Sequence, residues 1–237
     1  MDYFLKQYKK ICKEQFSGYG FKSYKNNHYR IINDVFQSFE LHRSVYGDSC
    51  TVHFGVLPMC RTSPIDASTC PAMHLKMFEN DFSWFPYDNK FEESINDCVN
   101  ELKQYMIKYL MDFFKASDNC ENAYKELCSL EQKVFKTIRY NSWDNLCFAL
   151  KINDYSAALQ HLNAIRENIT EDSIKKGRME NRLQLIERME HDLKSGNTEP
   201  IDEFIHINEQ RNLRLIADRK IHRSEYFKDI EYPPLTI

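Results

Sequence analysis

The stretch Phe16–Leu57 reads FSGYGFKSYKNNHYRIINDVFQSFELHRSVYGDSCTVHFGVL, and its reading decides the fold. A glycine turn leads into three runs rich in Tyr, Phe, Val and Ile. In Val35–Val45, the residues Val35, Gln37, Phe39, Leu41, Arg43 and Val45 alternate with Phe36, Ser38, Glu40 and His42. In Thr51–Leu57, Val52, Phe54 and Val56 alternate with Thr51, His53, Gly55 and Leu57. A period of two is the mark of a strand, because successive side chains point to opposite faces. Asn33-Asp34 and Gly47-Asp48 punctuate the runs as turns. The expectation is an antiparallel sheet with one covered face, beginning near His28.

Upstream, Phe4, Leu5, Tyr8, Ile11, Cys12 and Phe16 recur at spacings of three and four, while Lys6, Lys9, Lys10 and Lys13 fall elsewhere. That pattern predicts a helix with one buried face, ended by Gly18 and Gly20. Downstream, residues 58–90 carry Pro58, Pro64, Pro71 and Pro86 and show no clear period. The aromatic segment Phe82–Tyr87 is expected as a short fourth strand.

From residue 91 the periodicity is helical. Helices are expected over Phe91–Lys115, Asn119–Lys136, from an N-cap at Ser142, Tyr155–Ile169, Ser173–Ser195 and Pro200–Ile221, with an extended tail from Tyr226. Lys151–Leu159 resembles the turn of a tetratricopeptide hairpin, with Asn153 in the place where such turns use glycine. The fold class expected is α+β: a small antiparallel sheet packed by helices, followed by an all-α helical-hairpin region. The expected division is an α+β domain over 1–115, a helical region over 116–225, and the tail 226–237.

The chain has 237 residues, 42% of them hydrophobic and 14% aromatic, enough to build a core and to argue against disorder. No run approaches the roughly 20 apolar residues of a membrane span, and the lysine-interrupted N-terminus lacks the apolar core of a secretory signal. A cytoplasmic location with no membrane contact is expected. The 8 cysteines are then expected as reduced thiols.

With these residues laid out, the first 115 residues resemble the bacterial family called domain of unknown function 4304. The resemblance rests on Gly20-Phe21-Lys22, Tyr29-Arg30, Val35–Arg43 and Thr51–Val56. It implies a bacterial cytosolic protein without an assigned activity, and it adds an immunity or inhibitor role in a toxin system as one reading.

Several constellations bear on chemistry. His53, Cys60, Cys70 and His74 lie on one strand and the loop after it. Imidazole and thiolate are zinc ligands, but no Cys-x2-Cys clamp accompanies them, so neither metal nor cofactor is expected. The same group (His53, Cys60, His74) is where a hydrolase or transferase would place a Cys–His pair. Arg211, Arg214, Arg219, Lys220 and Arg223 crowd the last helix and would serve a nucleic-acid binder, against which the net charge of −3 argues. The reading preferred from sequence is a non-enzymatic module that binds another protein, of open oligomeric state. Its expected contacts are Trp84, Phe85 and Tyr87 with Arg211 and Arg214, residue types that dominate binding energy when exposed.

Overall fold

In the computed structural model, residues 2–134, 142–169 and 180–218 are described. The chain divides into two units: Met1–Leu57 with Ala67–Lys136, and Pro58–Asp66 with Thr137–Ile237. The division differs from the one expected in two ways. Helix Cys120–Val134 joins the first unit, because Cys120 N donates to Asp34 Oδ1 and Asn33 Nδ2 donates to Asp118 O, both at 2.8 Å. Nine residues in mid-sequence, Pro58–Asp66, belong to the second unit.

Unit 1 opens with α1 (Tyr3–Phe16), capped by Asp2, whose side chain accepts from Phe4 N. Phe4, Tyr8, Ile11, Cys12 and Phe16 form its buried face, as the spacing predicts. Gly20, at φ 83°, turns the chain out of the helix; Gly20 rather than Gly18 supplies the left-handed residue.

The strands are β1 (Lys22–Tyr24), β2 (Asn27–Ile32), β3 (Val35–Arg43), β4 (Ser49–Pro58), β5 (Met73–His74) and β6 (Phe85–Pro86). They form a small antiparallel sheet in the order β1-β2-β3-β4-β5, with β6 also paired to β4. The β2–β3 register sets His28 opposite Phe39 and Tyr29 opposite Ser38. The expected fourth strand exists as β6, where Cys50 faces Phe85.

One face of the sheet takes the helices. Phe16, Phe21, Phe39 and Phe114 meet there with ring centroids 4.6–5.9 Å apart along the chain of contacts Phe39–Phe16, Phe16–Phe21 and Phe21–Phe114. Phe54 meets Phe113 edge-on at 5.3 Å. The covering rod is α2 (Glu92–Tyr105), a π turn (Met106–Leu110) and α3 (Met111–Ala116), one continuous helix where one was expected. Helix α4 is Cys120–Val134.

The second face is covered too, contrary to the one-sided expectation. Val35, Phe36, Gln37, Ser38 and Phe39 are all fully buried. The loop from Ala67 lies on that face: Asn27 Nδ2 donates to Ala67 O at 2.9 Å and to Thr69 O at 3.0 Å. Gly55 makes this seat possible, since a Cβ at that position would lie 2.5 Å from Pro71 Cβ.

Unit 2 contains α5 (Ser142–Lys151), α6 (Tyr155–Glu167), α7 (Glu180–Ser195) and α8 (Glu199–Ala217). The expected helix start at Ser173, the side chain of Ser142 and the tail from Tyr226 lie outside the described residues. Helix α8 ends at Ala217, four residues before the expected Ile221, with Asp218 at φ −98° and ψ 88°. In α5, Leu146, Cys147, Phe148, Ala149 and Leu150 are consecutive and buried, so this stretch of the helix is covered on every side, and Asp144 and Asn145 before it are buried as well. Helices α5 and α6 make the expected hairpin. Asn153 turns at φ 59°, Asp154 caps α6 by accepting from Ala157 N, and Ala158 is fully buried.

The segment Pro58–Asp66 is held within unit 2 by side chains. Asn212 Nδ2 donates to Met59 O at 2.8 Å and Arg61 O at 3.0 Å, while Asn212 Oδ1 accepts from Ile65 N at 3.0 Å. Arg211 donates to the carbonyls of Arg61 and Thr62, both at 2.8 Å. The Arg61 guanidinium pairs with the buried Asp144 carboxylate.

Candidate functional site

Strand pairing assembles a histidine cluster on the loop-covered face of unit 1. Strands β4 and β5 place His53 directly opposite His74. Their Nε2 atoms stand 3.1 Å apart, so one ring donates to the other. The His42 ring, on β3, stacks on His53 with centroids 3.8 Å apart, and Trp84 meets His74 edge-on at 5.9 Å. Glu40 Oε2 lies 3.6 Å from His42 Nε2 and is the carboxylate of the group.

Burial lowers the His53 pKa to about 4, with the neighbouring His42 and His74 adding to the effect; burial lowers that of His74 too. Both rings are therefore neutral at pH 7. His28, stacked on Phe39 and bonded to Ser23, is likewise pushed down to about 4 by burial. A base whose folded pKa lies below its unfolded value stabilises the fold above the unfolded value, and that contribution is lost as pH falls. The window here runs from about 6.5 down to about 4. Urea midpoints of the intact chain should fall across it. Replacing His53 with Gln should flatten the profile by about 1–2 kcal/mol, a figure reduced for the half-exposed ring. A profile of unchanged slope in that variant would remove His53 as the titrating group.

The structure brings together only part of the group expected at this site. Cys70 lies beside it, its thiol donating to His53 O at 3.5 Å, and burial pushes that thiol up to about 12. Cys60 belongs to unit 2, where it donates to Cys147 O at 3.4 Å, so it is no partner for His53 or His74. Among the described residues, no three His, Cys, Asp or Glu side chains are arranged to hold a metal ion. His42 was not legible in sequence, because nothing local to β3 shows which residue of β4 it will face.

The expected aromatic contacts are corrected in part. Phe85 is fully buried, with Lys76 Nζ 4.3 Å above its ring and Tyr105 edge-on at 5.3 Å. Tyr87 is buried against Phe4 at 4.8 Å, and its hydroxyl accepts from Arg43 Nε at 3.0 Å. Both are core, because β6 and Tyr87 just after it run under α1 and α2 rather than into solvent. Trp84 stays half-buried against His74. Arg211 is spent on the Arg61 and Thr62 carbonyls and is pushed down to about 10 by burial, so it is a brace, not a docking contact. Arg214 is exposed. Arg219, Lys220 and Arg223 lie outside the described residues.

The exposed aromatic surface lies elsewhere, at the β3–β4 end of unit 1. Tyr46 is 98% exposed, Val45 87% and Phe91 62%, the highest values among the exposed large hydrophobics of the described residues. The turn beneath them is well bonded. Ser44 N donates to Ser49 O at 2.9 Å, and Tyr46 N donates to Ser44 Oγ at 3.1 Å. Asp48 binds the segment leading to Phe91, its carboxylate accepting from Asn89 N at 3.2 Å and Asn89 Nδ2 at 3.0 Å. Asp48, Glu92 and Glu93 are exposed in these two segments, as is Lys90.

No helix among the described residues is long and apolar enough to cross a membrane. No family model, curated protein or solved structure matches this chain.

Proposed function

We propose that this chain is a non-catalytic protein-binding module that takes its partner at the β3–β4 end of unit 1. The observation that carries the reading is the near-complete exposure of Tyr46 and Val45 on a turn that hydrogen bonds hold in one shape. A tyrosine offers large contact area at little entropic cost, and a preformed turn loses little freedom on binding. In this turn and in the segment that Asp48 binds, exposed Asp48, Glu92 and Glu93 outnumber the exposed Lys90, so the fitting partner is a basic protein segment with an apolar side chain at its centre.

Fluorescence anisotropy with peptides carrying Lys or Arg around a central Leu or Phe tests this. Binding to the intact chain should weaken at least tenfold in the Tyr46→Ala, Phe91→Ala double variant, with the unfolding temperature unchanged. It should weaken further with added salt. Equal affinity for both proteins, or a preference for acidic peptides, would discard this surface as the docking site.

A further inference from the structure

Cys50 sits on β4 and Cys98 on α2, both buried in unit 1 where the helix crosses the sheet. Their sulfurs stand 3.7 Å apart. A disulfide needs about 2.05 Å, so small χ1 rotations bringing each sulfur inward by less than 1 Å would close the gap. Helix α2 and strand β4 fix the two residues in this relation through the β4–β6 ladder, because Cys98 Sγ also faces Phe85 O at 3.9 Å and Phe85 pairs with Cys50.

The hydrogen bond between the two thiols stabilises whichever sulfur ionises, and the lesser burial of Cys98 makes it the nucleophile. The hydrogen bond from Cys50 holds the Cys98 thiol below its ordinary value, with the nearby Lys76 ammonium assisting and burial and Glu101 opposing. The Cys50 thiol is pushed up by the same hydrogen bond and by burial, with Arg43 opposing. Cys12 and Cys70, by contrast, are each raised to about 12 by burial, which outweighs the hydrogen bonds from Tyr8 and Ser38. Cys98 also keeps 3% exposure against 0% for Cys50, so a small oxidant reaches Cys98 first.

We propose that Cys50 and Cys98 are an oxidisable dithiol that closes to a disulfide between β4 and α2 when the protein meets a hydroperoxide. The Cys98 thiolate attacks the outer peroxide oxygen, the O–O bond breaks, and the alkoxide leaves as the alcohol after taking a proton from solvent. The sulfur of Cys50 then attacks the Cys98 sulfenic sulfur. The S–S bond forms, the S–O bond breaks, and hydroxide departs as water with the Cys50 proton. Two thiols lose two electrons and the peroxide gains them. The bond closes a loop between positions 48 apart in sequence, long enough to restrict the unfolded chain strongly.

Reduced intact protein treated with hydrogen peroxide, then unfolded and alkylated, tests the pair. The expected result is a loss of about 2 Da before alkylation, a peptide joining positions 50 and 98, reversal by dithiothreitol, and an unfolding temperature raised by roughly 5–10 °C. The Cys70→Ser, Cys128→Ser double variant, which leaves the pair untouched, should still form the cross-link. Quantitative alkylation of Cys50 and Cys98 after peroxide, with oxygen added only at Cys70 or Cys128, would overturn the proposal.

Discussion

Replacing Asp144 with Ala should destabilise unit 2 by about 3–5 kcal/mol. Asp144 is 4% exposed, and its carboxylate faces the Arg61 guanidinium. Burial pushes its pKa up while Arg61 pulls it down, and burial is the larger influence. The pair is therefore costly to bury, and removing one partner costs more than the pair was worth. Arg61 would keep its charge in a place where Arg211 already brings a second one, for the Arg61 charge contributes to lowering Arg211 to about 10. Changing both partners together, Asp144→Leu with Arg61→Met, should recover most of the loss, because no charge is then stranded. Urea unfolding followed by helical circular dichroism reads both. A loss below about 1 kcal/mol in the single variant would mean that water reaches Arg61 freely.

In unit 1, Gln37→Leu should cost about 3 kcal/mol, although the volumes nearly match. Gln37, the third residue of β3, is fully buried. Its Oε1 accepts from Arg30 Nε at 2.7 Å, and its Nε2 donates to Phe114 O at 2.8 Å and Ser117 O at 2.6 Å. Phe114 lies in the last turn of α3 and Ser117 just past its end, where carbonyls lack partners within the helix. Leucine would leave both with less hydrogen bonding, and Arg30 with one acceptor fewer. Gln37→Glu should be no milder: it keeps the acceptor for Arg30 but sets a carboxylate against two carbonyl oxygens. Equilibrium unfolding of the two variants checks this, and a glutamate variant as stable as the parent would refute the assigned donor role of Nε2.

The sequence carried the layered part of this fold well. The apolar residues of α1 and the alternation in β3 and β4 are local patterns, and local patterns survive into the structure. Cover on the second face was invisible because the loop at Ala67–Pro71 has no period, and its seat depends on Gly55 meeting Pro71 across the sheet. Strand β1 escaped because it has three residues and enters a turn at Lys25, which takes φ 55° without being Gly or Asn. Aromatic character was a poor guide to exposure: Phe85 and Tyr87 fill the core, while Tyr46, between the expected strand end at Val45 and the Gly47-Asp48 turn, stands in solvent. Arg211 read as surface charge because a guanidinium that satisfies backbone carbonyls looks the same in sequence as one facing water. The histidine cluster was half legible. His53 and His74 stood out as a pair near cysteines, but their meeting depends on a two-residue strand, and Cys60 leaves with the segment that follows Pro58.

That departure bears on how the protein can be dissected. The polypeptide quits unit 1 at Leu57 and returns at Ala67, so no single cut liberates either unit whole. A fragment ending at residue 136 would retain Met59, Cys60 and Ile65, which are 3%, 2% and 0% exposed in the intact protein, while losing the Asn212 amide that holds their backbone. Such a fragment would present a sticky apolar loop to its neighbours. Gene fusion or domain shuffling at the apparent α+β boundary would inherit the same defect, which ties the two halves into one heritable block.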